Sequence, residues 1–243
     1  MLKSWIAKGT GNSPIYPSIA PDVPFYLIGD VHGRSDLLGR LLSKLVPQHP
    51  VVLVGDYVDR GEESAGVLRQ LFGRPNTYCI KGNHEDMLLS FLENPIEHGP
   101  RWLRYGGLQT LASFGIAGLT ETSRGPDLEA ARDALRDAMG SEMIFWLRTL
   151  PLTYVNGNVG VVHAAADPRF GLEDQKPKHL LWGHPEFGRT PRRDGMWIAH
   201  GHTIIDEPQA TQGIIAVDTG AYATGKLTVA GIGNGAAEFL TMK

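Results

Sequence analysis

The sequence predicts an α/β fold, a sandwich of β-sheets flanked by helices, and three observations carry that expectation. In the first half of the 243-residue chain, short apolar runs end in a glycine and polar residues, and a helical stretch follows each. The runs are continuously apolar, which suits strands covered on both faces. In the second half such runs recur at close spacing, which suits neighbouring strands, some of them antiparallel.

In chain order, FYLIGDVHG at 25–33 leads into SDLLGRLLSKLV, VVLVGDYVDRG at 51–61 into EESAGVLRQLF, and TYCIKGNHE at 77–85 into DMLLSFLE. Residues 86–150 read as a mostly helical insertion with breaks marked by Gly and Pro. The β-rich part follows as NVGVVHAA, MWIAHGHT, GIIAVDTG, KLTVAGIG and AAEFLTMK. A single domain over 1–243 is expected, with 1–24, rich in Pro, Gly and Ser, as an N-terminal arm.

A hydrophobic fraction of 42% with 20% charged residues fits a globular chain with a sizeable core. Net charge is −3, which argues against a protein whose main partner is a nucleic-acid backbone. A single cysteine, Cys79, excludes an internal disulfide and fits a reducing compartment. The opening MLKSWIAKGTGNSPIYPS lacks a signal-peptide apolar stretch, and no run reaches membrane-spanning length. The expected location is cytoplasmic, with no membrane partner.

The chemistry gathers where the apolar runs end. Asp30 and His32 stand in GDVHG, Asp56, Asp59 and Arg60 in GDYVDRG, and Asn83 and His84 in GNHE; His163 and His202 end later runs. In α/β sheets, sites form outside the carboxyl ends of strands. Hard oxygens plus neutral imidazoles, with no thiolate, make a metal-ligand inventory. One such residue alone is better read as a turn or a hydrogen-bonded structural group. Together they would leave several buried charges uncompensated unless a cation lies between them. Asn83 and His84 are adjacent at a strand end, so they should point to opposite sides and do different work.

In order and spacing, GDVHG, GDYVDRG, GNHE, a later strand-end histidine and GHT resemble the metallophosphoesterases. More narrowly they resemble the bacterial and phage branch of the serine/threonine phosphoprotein phosphatases, a calcineurin-like group. The motifs span residues 29–203, and VDTGA with GKLTV extends the match. The resemblance implies a central β-sandwich of two mixed sheets with helices outside. It implies two divalent metal ions, manganese by family expectation, with iron or zinc admitted by the same ligands. Asp30 and His32 would hold one ion, Asp56 would bridge, and Asn83, His163 and His202 would complete the second. A metal-bridging hydroxide would attack phosphorus in line. His84, oriented by Asp59, would protonate the leaving oxygen, and Arg60 would contact the phosphoryl oxygens.

Two departures stand out. Where many relatives outside this branch carry GHxH, this chain has Ile204. In LLWGHPEF, His184 occupies the place of a usual phosphate-clamping arginine and is the substitute candidate, with Arg189, Arg192 and Arg193 as the other choices. Cys79 has Glu85 six positions on instead of the arginine of a cysteine-nucleophile loop, so it is expected in the core. Glu85 is expected to support the start of the following helix. His200 should share a face with His202, while His49, His98 and His179 read as surface residues. YGGLQTLASFG is expected beside the mouth of the site, and Asp218 in a turn.

The resulting expectation is a metal-dependent phosphoric monoester hydrolase acting on a phosphorylated protein or a small phosphoester. A symmetrical dinucleoside tetraphosphate hydrolase is the alternative, which the DRG and GNHE forms disfavour. An inactive binding module is disfavoured by the complete ligand set.

Overall fold

Three strand–turn–helix units open the chain in the computed structural model, which describes residues 16–233 and 235–243. They are β1 (Phe25–Ile28) with α1 (Ser35–Leu42), β2 (Val51–Leu53) with α2 (Ser64–Leu71), and β3 (Thr77–Cys79) with α3 (Asn83–Glu93). Each helix buries one apolar stripe, for example Leu37, Leu38, Leu41 and Leu42 on α1. Full burial of one such leucine stabilises by about 1.5–3 kcal/mol. This packing returns the chain to the sheet, so the three strands pair in parallel.

The helical stretch continues with α4 (Pro95–Trp102), a π-helical turn over Leu103–Gly107, α5 (Leu108–Ser113), α6 (Pro126–Met139) and α7 (Ser141–Thr149). Proline opens α4 and α6, where its missing N–H is not needed. The Asn94 side chain also caps α4 by accepting from Glu97 N.

The second half supplies β4 (Thr153–Asn156), β5 (Val159–Val162), α8 (Pro177–Trp182), β6 (Trp197–His200), β7 (Gln209–Thr211), β8 (Ile214–Ala216), α9 (Ala221–Thr224), β9 (Leu227–Gly233) and β10 (Ala236–Met242). Two mixed five-stranded sheets result, ordered β10-β9-β1-β2-β3 and β4-β5-β6-β8-β7. Strand alternation sorts the side chains. Phe25, Leu27, Val52 and Val54 meet Val159, Val161, Trp197, Ala199 and Ile215 between the sheets. Ile28, Val51 and Leu53 face α1–α3 on the outside of the first sheet. Val162 and Ile198 pack with Leu172 and Leu180 on the outside of the second.

Residues 1–15 of the expected arm lie outside the described residues; Ile19 forms an antiparallel bridge to Gly235. Among the described residues, no helix is long and apolar enough to cross a membrane.

Candidate metal centre

The parallel strands of both sheets deliver their following turns to one place. Asp30 and His32 follow β1, Asp56 to Arg60 follow β2, and Asn83 and His84 open α3. His163 follows β5 and His202 follows β6. These turns are unusually bent. His32 (φ 43°), Asp56 (52°), Asp59 (70°), Arg60 (70°) and His202 (62°) all hold left-handed backbone angles. Each such conformation costs about 1–3 kcal/mol in a residue with a side chain. Surrounding contacts must therefore hold them.

Glu85 supplies many of those contacts. Its buried carboxylate accepts from the backbone N–H groups of Asp56 (2.8 Å), Tyr57 (2.8 Å), Val58 (3.3 Å) and Gly82 (2.9 Å). It supports the start of α3, as expected, and also ties the turn after β2 to the turn after β3. Burial, then the charge of Asp56, push its pKa up to about 7, against the pull of these N–H donors. A Cβ at Gly82 would run into the amide and carboxylate of Asp56. Glu85→Gln, which brings N–H groups against N–H groups, should lower stability by about 2–3 kcal/mol, read from the denaturant midpoint.

The donor set itself tests whether cations fit. Val54 O accepts from His163 Nδ1 (2.9 Å), so neutral His163 presents a lone pair on Nε2. That atom faces Asn83 Oδ1 at 2.7 Å, His202 Nδ1 at 3.1 Å and Asp56 Oδ1 at 3.4 Å. His202 Nδ1 is also 2.9 Å from Asn83 Oδ1. Likewise Val58 O takes His32 Nδ1–H (2.8 Å), leaving Nε2 3.4 Å from Asp56 Oδ2. Acceptors therefore crowd one another at ligand-to-ligand distances, and positive charge between them resolves the crowding.

The electrostatics agree. Burial opposes a charge on His163, yet Asp56 outweighs it and raises the pKa. Burial, then Asp218 and Asp56, hold the Asp30 carboxyl well above its usual range. Asp30 accepts from His202 N at 3.0 Å, which joins the turns after β1 and β6. The residues present fit divalent cations, and Asp56 stands in two candidate groups, one with His32 and His84 and one with His163 and His202.

At the edge of this group stands a buried pair. His84 Nδ1 lies 2.7 Å from Asp59 Oδ2. Asp59 also accepts from Trp102 Nε1 (3.0 and 3.1 Å) and Thr110 Oγ1 (2.6 Å). Burial opposes protonation of His84, but Asp56 and Asp59 outweigh it and raise its pKa. His84 Nε2 points toward Asp56 Oδ2, 3.9 Å away. Arg60 donates to Tyr222 Oη (3.0 Å) and from its backbone N to Gly106 O (3.3 Å).

Several expectations need correction. Asn83 and His84 are not strand-end residues; β3 stops at Cys79 and they begin α3. Successive helical positions still diverge, so Asn83 faces His163 and His202 while His84 faces Asp59. His200 does not share a face with His202, because the strand ends and the chain turns through Gly201. Its Nδ1 donates to Gly201 O (2.9 Å), and its ring packs on Phe187 outside the second sheet. His184 falls in a cluster with Asp167 and His179, not in either of those that contain Asp56. Its Nε2 faces the Asp167 carboxylate at 3.3 Å, a neighbour that repels an anion and lends the phosphate-clamp expectation no support. Arg192 is not its substitute, being engaged with Asp194 and the carbonyls of Asp167 and Phe170. His179 is partly buried beside His184.

Sequence reasoning gives no sign of Trp102 or Tyr222, and it expects YGGLQTLASFG beside the site without singling out its Thr110. Trp102 and Thr110 lie 43 and 51 residues from Asp59 on helical segments whose apolar pattern gives no sign of that contact.

A calcineurin-like phosphoesterase family profile matches residues 23–206. The chain is 41% identical over 215 residues to serine/threonine-protein phosphatase 2 of Escherichia coli strain K12, covering 84% of this chain and 90% of that one. It is 30% identical over 230 residues to the asymmetrical bis(5'-nucleosyl)-tetraphosphatase PrpE of Oceanobacillus iheyensis, covering 83% and 86% respectively. A solved protein serine/threonine phosphatase from Saccharomyces cerevisiae aligns with a TM-score of 0.57 at 19% identity, over 92% of this chain and 80% of that one. At that identity the likeness is one of fold.

Proposed function

The chain belongs to the calcineurin-like phosphoesterase family, and we propose that within it the protein is a dinuclear phosphomonoesterase of the serine/threonine phosphoprotein phosphatase type. The observation that carries this reading is the buried His84–Asp59 pair at 2.7 Å beside a group of unshared lone pairs centred on Asp56. Asp30, His32 and Asp56 would hold one ion; Asp56, Asn83, His163 and His202 would hold the other. Divalent ions, manganese by preference, supply Lewis-acid charge to a phosphoryl group and acidify water.

The residues around them do the rest. A phosphoserine leaving group departs as an alkoxide, which needs a proton. Asp59 accepts from Nδ1–H of His84 and stabilises the imidazolium, whose second and transferable proton sits on Nε2, the nitrogen turned toward the ion site. Arg60, held by Tyr222 and Gly106, offers paired N–H donors to the phosphoryl oxygens. A cytoplasmic setting fits Cys79, which is buried and unpaired.

The second reading is a dinucleoside tetraphosphatase, favoured by the likeness to PrpE. The sequence alternative was a symmetrical enzyme; the relatives are named asymmetrical, so the reading shifts to that form. The test compares phosphoserine peptides, an aryl phosphate and diadenosine tetraphosphate with Mn²⁺, Fe²⁺ and Zn²⁺. We expect the highest kcat/KM on phosphopeptides. A preference for the tetraphosphate, giving ATP plus AMP, would replace the first reading with the second. No hydrolysis of any substrate by the metal-loaded protein would overturn both.

A further inference from the structure

Four residues beyond His163 the chain reaches Asp167, and it returns through α8 to His179 and His184. This segment is firmly built. Ala164 N donates to Leu180 O (2.7 Å), and the Gln175 side chain bonds both the N–H and the C=O of Asp167 (2.8 and 3.0 Å). The Asp167 side chain is 3% exposed and that of His184 is 8% exposed. The His179 and His184 rings lie 4.5 Å apart, and one donor atom from each of the three residues falls within 4.8 Å of the others.

The spacing is the informative quantity. His184 Nε2 and Asp167 Oδ2 are 3.3 Å apart. A charge-assisted hydrogen bond between such groups is shorter, about 2.7–2.9 Å. Two ligands on one tetrahedral ion, bound at about 2.0–2.1 Å, stand about 3.3–3.4 Å from each other. The same separation, 3.4 Å, relates Asp56 to His32 and to His163 in the centre described above. The His179 backbone bonds Lys176 O and Gly183 N, while its side chain makes no hydrogen bond with the described residues.

One cation already serves Asp167. Arg169 donates to it through Nε (2.9 Å), Nη2 (2.7 Å) and its backbone N (3.1 Å). The Arg169 side chain is 64% exposed, so Nη2 can leave Oδ2 for water while Nε keeps Oδ1. His184 Nδ1 takes a long 3.3 Å contact from Glu186 N. Binding metal through Nε2 gives up that contact, because Nδ1 then carries the proton.

We propose that Asp167, His179 and His184 form a separate cation site for a divalent transition metal of the Zn²⁺ class, with water as fourth ligand and Arg169 as the group displaced from Oδ2. Two imidazoles and a carboxylate in this arrangement match borderline-soft ions and not Ca²⁺ or Mg²⁺. The bound ion pins both ends of the segment that begins at His163.

The test uses the full chain and the metals alone. Zn²⁺ is titrated against a chromophoric chelator, and retained metal is counted after desalting. Wild type should hold one equivalent more than His179→Ala, and Asp56→Asn should keep that equivalent after losing the main centre. Loss of the His179 ligand should weaken the site by at least about a hundredfold. Co²⁺ should give Asp56→Asn a four-coordinate visible absorption that the Asp56→Asn/His179→Ala double variant lacks. Arg169→Ala should tighten the site; unchanged affinity would overturn the displacement step. His179→Ala should turn over substrate normally when its main centre is loaded. Equal metal content in wild type and His179→Ala would overturn the site itself, whatever the main centre is found to do.

Discussion

Asp56→Asn is expected to abolish turnover and to empty the cation centre described around it. Asp56 is the carboxylate whose two oxygens face different imidazoles, Oδ2 toward His32 and Oδ1 toward His163, each at 3.4 Å. The amide keeps the shape but loses the charge, and it turns an N–H₂ toward one of these lone pairs. Neither ion then has its shared anion. The measurement is elemental analysis beside steady-state rates, with the far-ultraviolet spectrum as the folding control. Metal content at the Asp56 group should fall from about two equivalents to near zero as activity disappears. Two tightly held ions with normal rates would sink the bridging role.

His84→Asn should behave differently, leaving metal bound while slowing the reaction. Loss of a general acid typically costs about a hundredfold or more. The loss should be large for a phosphoserine peptide, whose alkoxide needs the proton. It should be smaller for nitrophenyl phosphate, whose leaving group is already stable as an anion. Equal losses on both substrates would argue against the acid role, and loss of metal would exchange the roles of His84 and Asn83. Asp59→Asn should show the same dependence on leaving group more weakly, because it acts through the orientation of His84.

The residues of the candidate site were legible in the sequence because each is local: an apolar run, a glycine, and an acid, amide or imidazole just beyond. The α/β alternation was legible for the same reason, since apolar runs and helical stretches each occupy a few consecutive residues. What escaped depended on distance along the chain or on where an element stops. Thr110 and Trp102 reach Asp59 only once α4, the π-helical turn and α5 are folded over it. Asn83 and His84 were placed on a strand because the apolar run continues through Ile80, one residue after the ladder ends. His200 was given the face of His202 because strand alternation was extended through a glycine where the backbone turns. His184 was judged by its neighbours in sequence, whereas its environment is set by Asp167, seventeen positions earlier.

The left-handed residues of the centre also bear on how this protein can be improved or can drift. A glycine at 32, 56, 59, 60 or 202 would adopt those angles freely, so screening for thermal tolerance alone would favour it wherever the lost side-chain contacts are worth less than the relief. Every such gain would delete a member of the proposed site. Resistance to heat and catalytic competence are thus opposed at these five positions, and a stabilisation campaign should hold them fixed and seek its gains in the helical layer.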